Sequence, residues 1–156
     1  MASETVYNSF QYACREEEER YTELINRGKI YLSICTFFLG GIGFKLSSDI
    51  SEASLGMQVP FMVSAFFFIM SFLLIIIALG IYKYEATFDA ELIIEEFGDE
   101  PPKDGDFLDQ RIADITASLG HNIAINNKRG RFLFYASFGM LAGVVSAFSG
   151  LIYLMF

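Results

Sequence analysis

Polar and apolar positions occur in blocks along this chain. Residues 3–29 are polar but patterned. Tyr7, Phe10, Cys14, Tyr21, Leu24 and Gly28 recur at spacings of three, four or seven, with Arg15, Glu16 to Glu19, Arg20 and Glu23 between them. That period predicts an amphipathic helix, and Ser3 or Thr5 can cap its start. The EEEER run reads as a solvated helix face, supported by the i,i+4 pairs Arg15–Glu19 and Glu16–Arg20, rather than as a metal or acidic-partner site. Gly28 alone does not break a helix, so one long helix is predicted to continue into the apolar run 30–46 (IYLSICTFFLGGIGFKL). This run is short for a membrane span, and Lys45 near its far end can snorkel to the interface. Residues 47–60 read as a polar outer loop. Pro60 suits the first turn of the next helix. The uncharged run 61–82 is the second expected span; FFFIMSFLLIII is too long for a strand.

The helix is predicted to continue over 83–100, with Tyr84, Phe88, Leu92 and Ile93 on one face and Glu85, Asp89, Glu91, Glu95 and Glu96 on the other. Gly98 and Pro101-Pro102 end it. Asp106 is the expected N-cap of a new helix from Phe107, with Asp109 completing an imperfect capping box. Leu108, Ile112, Ile115, Leu119, Ile123 and Asn126 form its inner stripe. No stop precedes the third uncharged run, 132–156, which is long enough to cross a bilayer. The expected fold class is all-α: an integral membrane protein whose three transmembrane helices are extended by cytoplasmic amphipathic helices. The whole forms one helical unit, with 83–131 as a folded-back cytoplasmic hairpin.

Composition agrees. Of 156 residues 53% are hydrophobic, and the charges are concentrated in the polar segments, as in a membrane protein. No piece outside the spans has the size of a separate catalytic domain. Six acids among the first 29 residues leave no room for the apolar core of a signal peptide, so none is expected. The Lys/Arg count is four before the first span, one at its outer end, six between the second and third, and none after. The positive-inside rule then predicts a cytoplasmic N-terminus and an outer C-terminus. Tyr31, Tyr82, Tyr84 and Tyr135 fall at the predicted cytoplasmic interface, as an aromatic belt would. Cys14 and Cys35 lie on or near the reducing side, so no disulfide is expected.

The expected spans contain no Asp, Glu, Arg or His, which argues against proton relays and ion-coupled carriers. They do contain small residues in register: Ser33, Thr36, Gly40 and Gly43 in the first, and Ala136, Gly139, Gly143, Ser146 and Gly150 in the third. Small residues let helix backbones approach closely in lipid. The two stripes either face each other within one chain or set an oligomer. Arg27, Lys29, Lys83, Lys128, Arg129 and Arg131 form a basic collar suited to lipid headgroups. Asn122 and Asn126 need a reason to sit in a helix; an interhelical hydrogen bond is favoured over headgroup or ligand contact. His121 has no partner at ligand spacing, and Asp104, Asp106 and Asp109 lack the full calcium-loop pattern. Four basic against six acidic residues over 1–29, and five against eleven over 84–131, make the cytoplasmic segments acidic. Nucleic acid is therefore not an expected partner. No catalytic arrangement, cofactor motif or metal motif stands out, and an enzyme is not expected.

The join of polar helix to span between Tyr21 and Phe38, the short outer loop, and the NIAINNKRGR approach to the last span together resemble the SLATT-type two-transmembrane effectors of bacterial nucleotide-signalling and phage-defence systems. The resemblance is one of layout over roughly residues 5–130, and the third span departs from it. It implies an effector that forms a pore or disrupts the membrane when triggered. The expected function is thus an oligomeric membrane protein that forms a pore or perturbs the bilayer, with membrane lipids and copies of itself as partners. The alternative is a non-conducting scaffold or accessory subunit whose acidic segments recruit a basic cytoplasmic protein.

Overall fold

The computed structural model describes residues 4–48, 55–80 and 104–155, all of them helical. Helix α1 spans Glu4–Ser48, α2 Leu55–Gly80 and α3 Asp104–Met155. Both long expected helices are therefore continuous: α1 passes through Gly28 without a break, and α3 through Gly120 and Gly130. Two helices are long and apolar enough to cross a membrane, α2 over Gln58–Gly80 and α3 within Asp109–Tyr153. The apolar window of each is 28% buried within the chain. Among the described residues a third such helix is not shown. The expected first span, 30–46, lies within α1.

Three boundaries differ from expectation. The outer loop expected over 47–60 is shorter, because α1 reaches Ser48 and α2 begins at Leu55. Pro60 consequently lies inside α2 rather than in its first turn, where it removes one backbone hydrogen bond near the helix start. Asp106 is not an N-cap: it lies inside α3, which spans Asp104–Met155. The expected helix 83–100, with Tyr82, Lys83 and Tyr84, lies outside the described residues.

The chain divides into two compact units. One, here called polar, comprises Met1–Glu23 and Tyr82–Asn127; the other, apolar, comprises Leu24–Ile81 and Lys128–Phe156.

In the apolar unit three helices pack up-down-up. Phe38 of α1 stacks on Phe68 of α2, with ring centroids 4.9 Å apart and planes 9° from parallel. Gly28 meets Leu79, so α1 and α2 run antiparallel. α2 and α3 also run antiparallel, since Phe61 packs at Gly150, Phe68 at Gly143, and Ser71 at Gly139. The buried positions follow one rule. They are Phe61, Ser64, Phe68, Ser71, Ile75 and Ala78 on α2, and Arg129, Leu133, Ala136, Met140, Gly143, Ala147 and Gly150 on α3. Both series alternate spacings of three and four without exception. On α1 the fully buried Gly28, Cys35 and Ile42 stand seven apart, with Tyr31 and Phe38 half-buried between them. A period of 3.5 is slightly shorter than that of a straight helix, so such seams stay in contact by winding left-handedly.

Glycine lets α3 sit close to α2. A Cβ added at Gly143 would lie 2.8 Å from the Phe68 ring. That ring is held flat against Phe38 and cannot swing aside. Gly41 on α1 has nothing within 4 Å of its would-be Cβ. Gly143→Ala is therefore expected to destabilise the protein by about 1–3 kcal/mol, while Gly41→Ala should be neutral or stabilising by up to ~1 kcal/mol. Thermal unfolding of both variants in detergent checks this; equal midpoints would contradict the packing.

Candidate functional site

The apolar unit is apolar on its outside as well as in its core, where Phe61, Phe68, Ile75, Leu133 and Met140 are buried. Its outward surface carries exposed Phe37 and Phe44 on α1, Met62, Phe66 and Leu73 on α2, and Phe138, Leu141, Val145 and Phe148 on α3. Its interior also holds polar groups. Ser64 is fully buried, and its hydroxyl donates to the Gly143 carbonyl at 2.7 Å. Buried Ser71 donates to the Phe67 carbonyl of its own helix at 2.8 Å. An exposed apolar surface of this extent is a liability in water and is the natural exterior of a unit solvated by lipid tails.

The two small-residue stripes do not face each other. On α3, Ala136, Gly143 and Gly150 are buried and Gly139 and Ser146 half-buried, and the glycines meet α2 rather than α1. On α1, Ser33, Thr36, Gly40 and Gly43 are all exposed. Their angular position explains this: the stripe lies roughly 120° around α1 from the buried line through Cys35, at about 100° per residue. No heavy atom lies within 4 Å of a Cβ built on Gly40 or Gly43. Ser33 donates to the Lys29 carbonyl at 3.1 Å and Thr36 to the Leu32 carbonyl at 2.9 Å. Both hydroxyls are thus satisfied within the helix. Ser47 extends the spacing by a further four residues and is exposed too.

The basic collar needs one correction. Arg27, Lys29, Lys128 and Arg131 are exposed, but Arg129 is 1% exposed and is not available to headgroups. It occupies the α3 seam four residues before Leu133, and its Nε donates to the Ala78 carbonyl of α2 at 2.8 Å. Of the three cations at 128, 129 and 131, the seam takes Arg129 inward and leaves Lys128 and Arg131 outside. Lys83 lies outside the described residues.

In the polar unit α1 and α3 are joined by the Asn126 side chain, singled out above for an interhelical hydrogen bond, and by Glu17, Arg20 and Asn127, which the sequence pattern did not single out. Asn126, fully buried, donates from Nδ2 to the Glu17 carboxylate at 2.8 Å and to the Glu17 carbonyl at 3.1 Å. Glu17 also pairs with Arg20 at 3.0 Å, and Arg20 reaches Asn127 Oδ1 at 2.8 Å. Arg20 therefore pairs with Glu17 rather than with the expected Glu16, because its guanidinium turns toward α3. Asn122 is buried as well, and His121 is exposed. The deepest positions of α3 in this unit are Arg111, Ile115, Asn122, Ile125 and Asn126, while Ile112, Leu119 and Ile123 are only half-buried. A signal for Glu17 was present: it stands three residues after Cys14 and four before Tyr21, at the one position of that stripe filled by a charge.

No protein-family model matches this chain, and no curated protein or solved structure matches it either.

The clasp makes an asymmetric prediction. Asn126→Ala removes one hydrogen bond from the half-buried Glu17 carboxylate and one from its main-chain carbonyl, and should weaken the α1–α3 contact by about 1–3 kcal/mol. Asn127→Ala removes one bond from an exposed partner and should cost under ~1 kcal/mol. Hydrogen exchange over residues 8–23 is the readout: faster in the first variant and close to unchanged in the second.

Proposed function

We propose that this chain is an integral membrane protein that assembles with copies of itself and forms a pore or perturbs the bilayer. α1 supplies a third span over residues 30–46, with the N-terminus in the cytoplasm and the C-terminus outside. The observation that carries the reading is the α1 face of Ser33, Thr36, Gly40 and Gly43, which is small, exposed and unoccupied by any described part of the same chain. In lipid there is little hydrophobic drive between helices. A strip of small residues promotes association because it lets a neighbouring backbone come close. The matching α3 strip is already filled by α2, so α1 is the helix left to meet another copy.

Assembled through α1, the copies bring hydroxyl-bearing and glycine positions toward one another along about three turns. Phe37 and Phe44, both exposed, flank the strip and suit a constriction that opens by wetting rather than by titration of a charge. The layout resemblance to SLATT-type effectors points the same way.

The second reading, a non-conducting scaffold, draws on charge. Among the described residues the polar unit carries ten acidic side chains against three basic ones, a surface suited to a basic partner protein.

Gly40→Leu separates the readings. It fills open space, so folding should survive. On the pore reading the detergent-purified protein falls to monomer mass and loses ion leakage in liposomes. A monomeric wild type, or leakage that persists in the variant, overturns the pore reading. Assembly without leakage, together with a partner released at high salt, supports the scaffold.

A further inference from the structure

We infer that the exposed basic residues of α1 and α3 form a collar at one level of the apolar unit that binds anionic phospholipid headgroups, with selectivity for net negative charge. The inference rests on the reading that the apolar unit is embedded in a bilayer. The fold brings the two helices together at that level: Leu24 reaches Gly130, whose would-be Cβ is 4.0 Å from the Leu24 side chain, and Gly28 packs against Leu79. Arg27 and Lys29 on α1 therefore lie near the level of Lys128 and Arg131 on α3, and all four are exposed. Lys29 and Arg131 make no ion pair among the described residues.

The surroundings define the ligand class. The described residues of the apolar unit contain no Asp or Glu, against six cations: Arg27, Lys29, Lys45, Lys128, Arg129 and Arg131; Glu23, four residues before Arg27 on α1, is the nearest described acid along that helix. Five of the six lie at the collar's level. Arg129 lies beneath them, buried and bonded to the Ala78 carbonyl, and adds to the positive potential without reaching the surface. Immediately along the helices stand exposed apolar side chains, Ile30 and Ile34 on α1 and Phe134, Tyr135 and Phe138 on α3. A phosphate with acyl chains attached satisfies both parts of this surface. A free phosphate satisfies only the first, and a zwitterionic headgroup brings its own cation into repulsion with the collar.

The test uses the full chain in detergent, with bound lipid read by native mass spectrometry. The probes are phosphatidylglycerol, phosphatidylcholine and inorganic phosphate. Phosphatidylglycerol should be retained in preference to phosphatidylcholine. Lys29→Gln with Arg131→Gln should weaken that retention about fivefold for each charge removed. Lys45→Gln, about 24 Å along α1 from Lys29 by helix rise, should leave it unchanged. Equal retention of the two lipids, or an unaffected double variant, overturns the inference. Competition by millimolar inorganic phosphate also overturns it, in favour of a free-anion site. These outcomes are independent of oligomer mass and leakage. A chain that stays dispersed in water without detergent would instead sink the bilayer reading itself.

Discussion

The ring of Phe68 is the point on which the apolar unit depends. One face lies flat on Phe38 of α1, and its edge rests where a side chain at residue 143 of α3 would be. A single α2 residue thereby sets the separation of α2 from both neighbours. The separation can be this small only because residue 143 has no Cβ. The same device recurs along the α2–α3 seam: Phe61 packs at Gly150, and Ser71 at Gly139. Large residues of α2 face small residues of α3, and the backbone of α3 is close enough for the Ser64 hydroxyl to bond a carbonyl at 2.7 Å.

This packing consumes one small-residue strip and leaves the other open. A transmembrane bundle cannot rely on water to drive its helices together, so close backbone contact and buried hydrogen bonds must supply the cohesion. α2 and α3 have both. α1 joins them through Gly28, Phe38 and the line Cys35–Ile42, while its glycine- and hydroxyl-bearing face points away. The proposal of self-assembly grows from that asymmetry within one helix. The polar groups tell a parallel story. Arg129, Asn122 and Asn126 are buried on α3; Arg129 bonds a main-chain oxygen of α2, and Asn126 a main-chain oxygen and a carboxylate of α1. Polar groups are costly to bury alone and become specific fasteners when paired, as Arg129 and Asn126 are.

Much of the architecture was legible along the chain. The spacing of Tyr7, Phe10, Cys14, Tyr21, Leu24 and Gly28 located α1, and the absence of a break after Gly120 and Gly130 located the full length of α3. Apolar length alone marked α2 and the end of α3 as candidate spans. Boundaries were less legible, because Pro60 and Asp106 are acceptable at more than one position near a helix start. The orientation of each face was hardest to read. Small residues at spacings of three and four define a strip but not its partner, and the two strips have nearly the same composition.

Local chemistry thus determined that this protein is helical, where its long helices run, and that two of them are apolar enough to span a membrane. Periodicity and side-chain solvation suffice for those conclusions. Only the tertiary structure decided that the α3 strip meets α2, that the α1 strip is exposed, that Arg129 turns inward between exposed Lys128 and Arg131, and that Glu17 clasps Asn126. Each of these depends on which helix lies beside which face. A rotation of one helix by a single residue step, about 100°, would exchange the buried and exposed sets without changing any local preference.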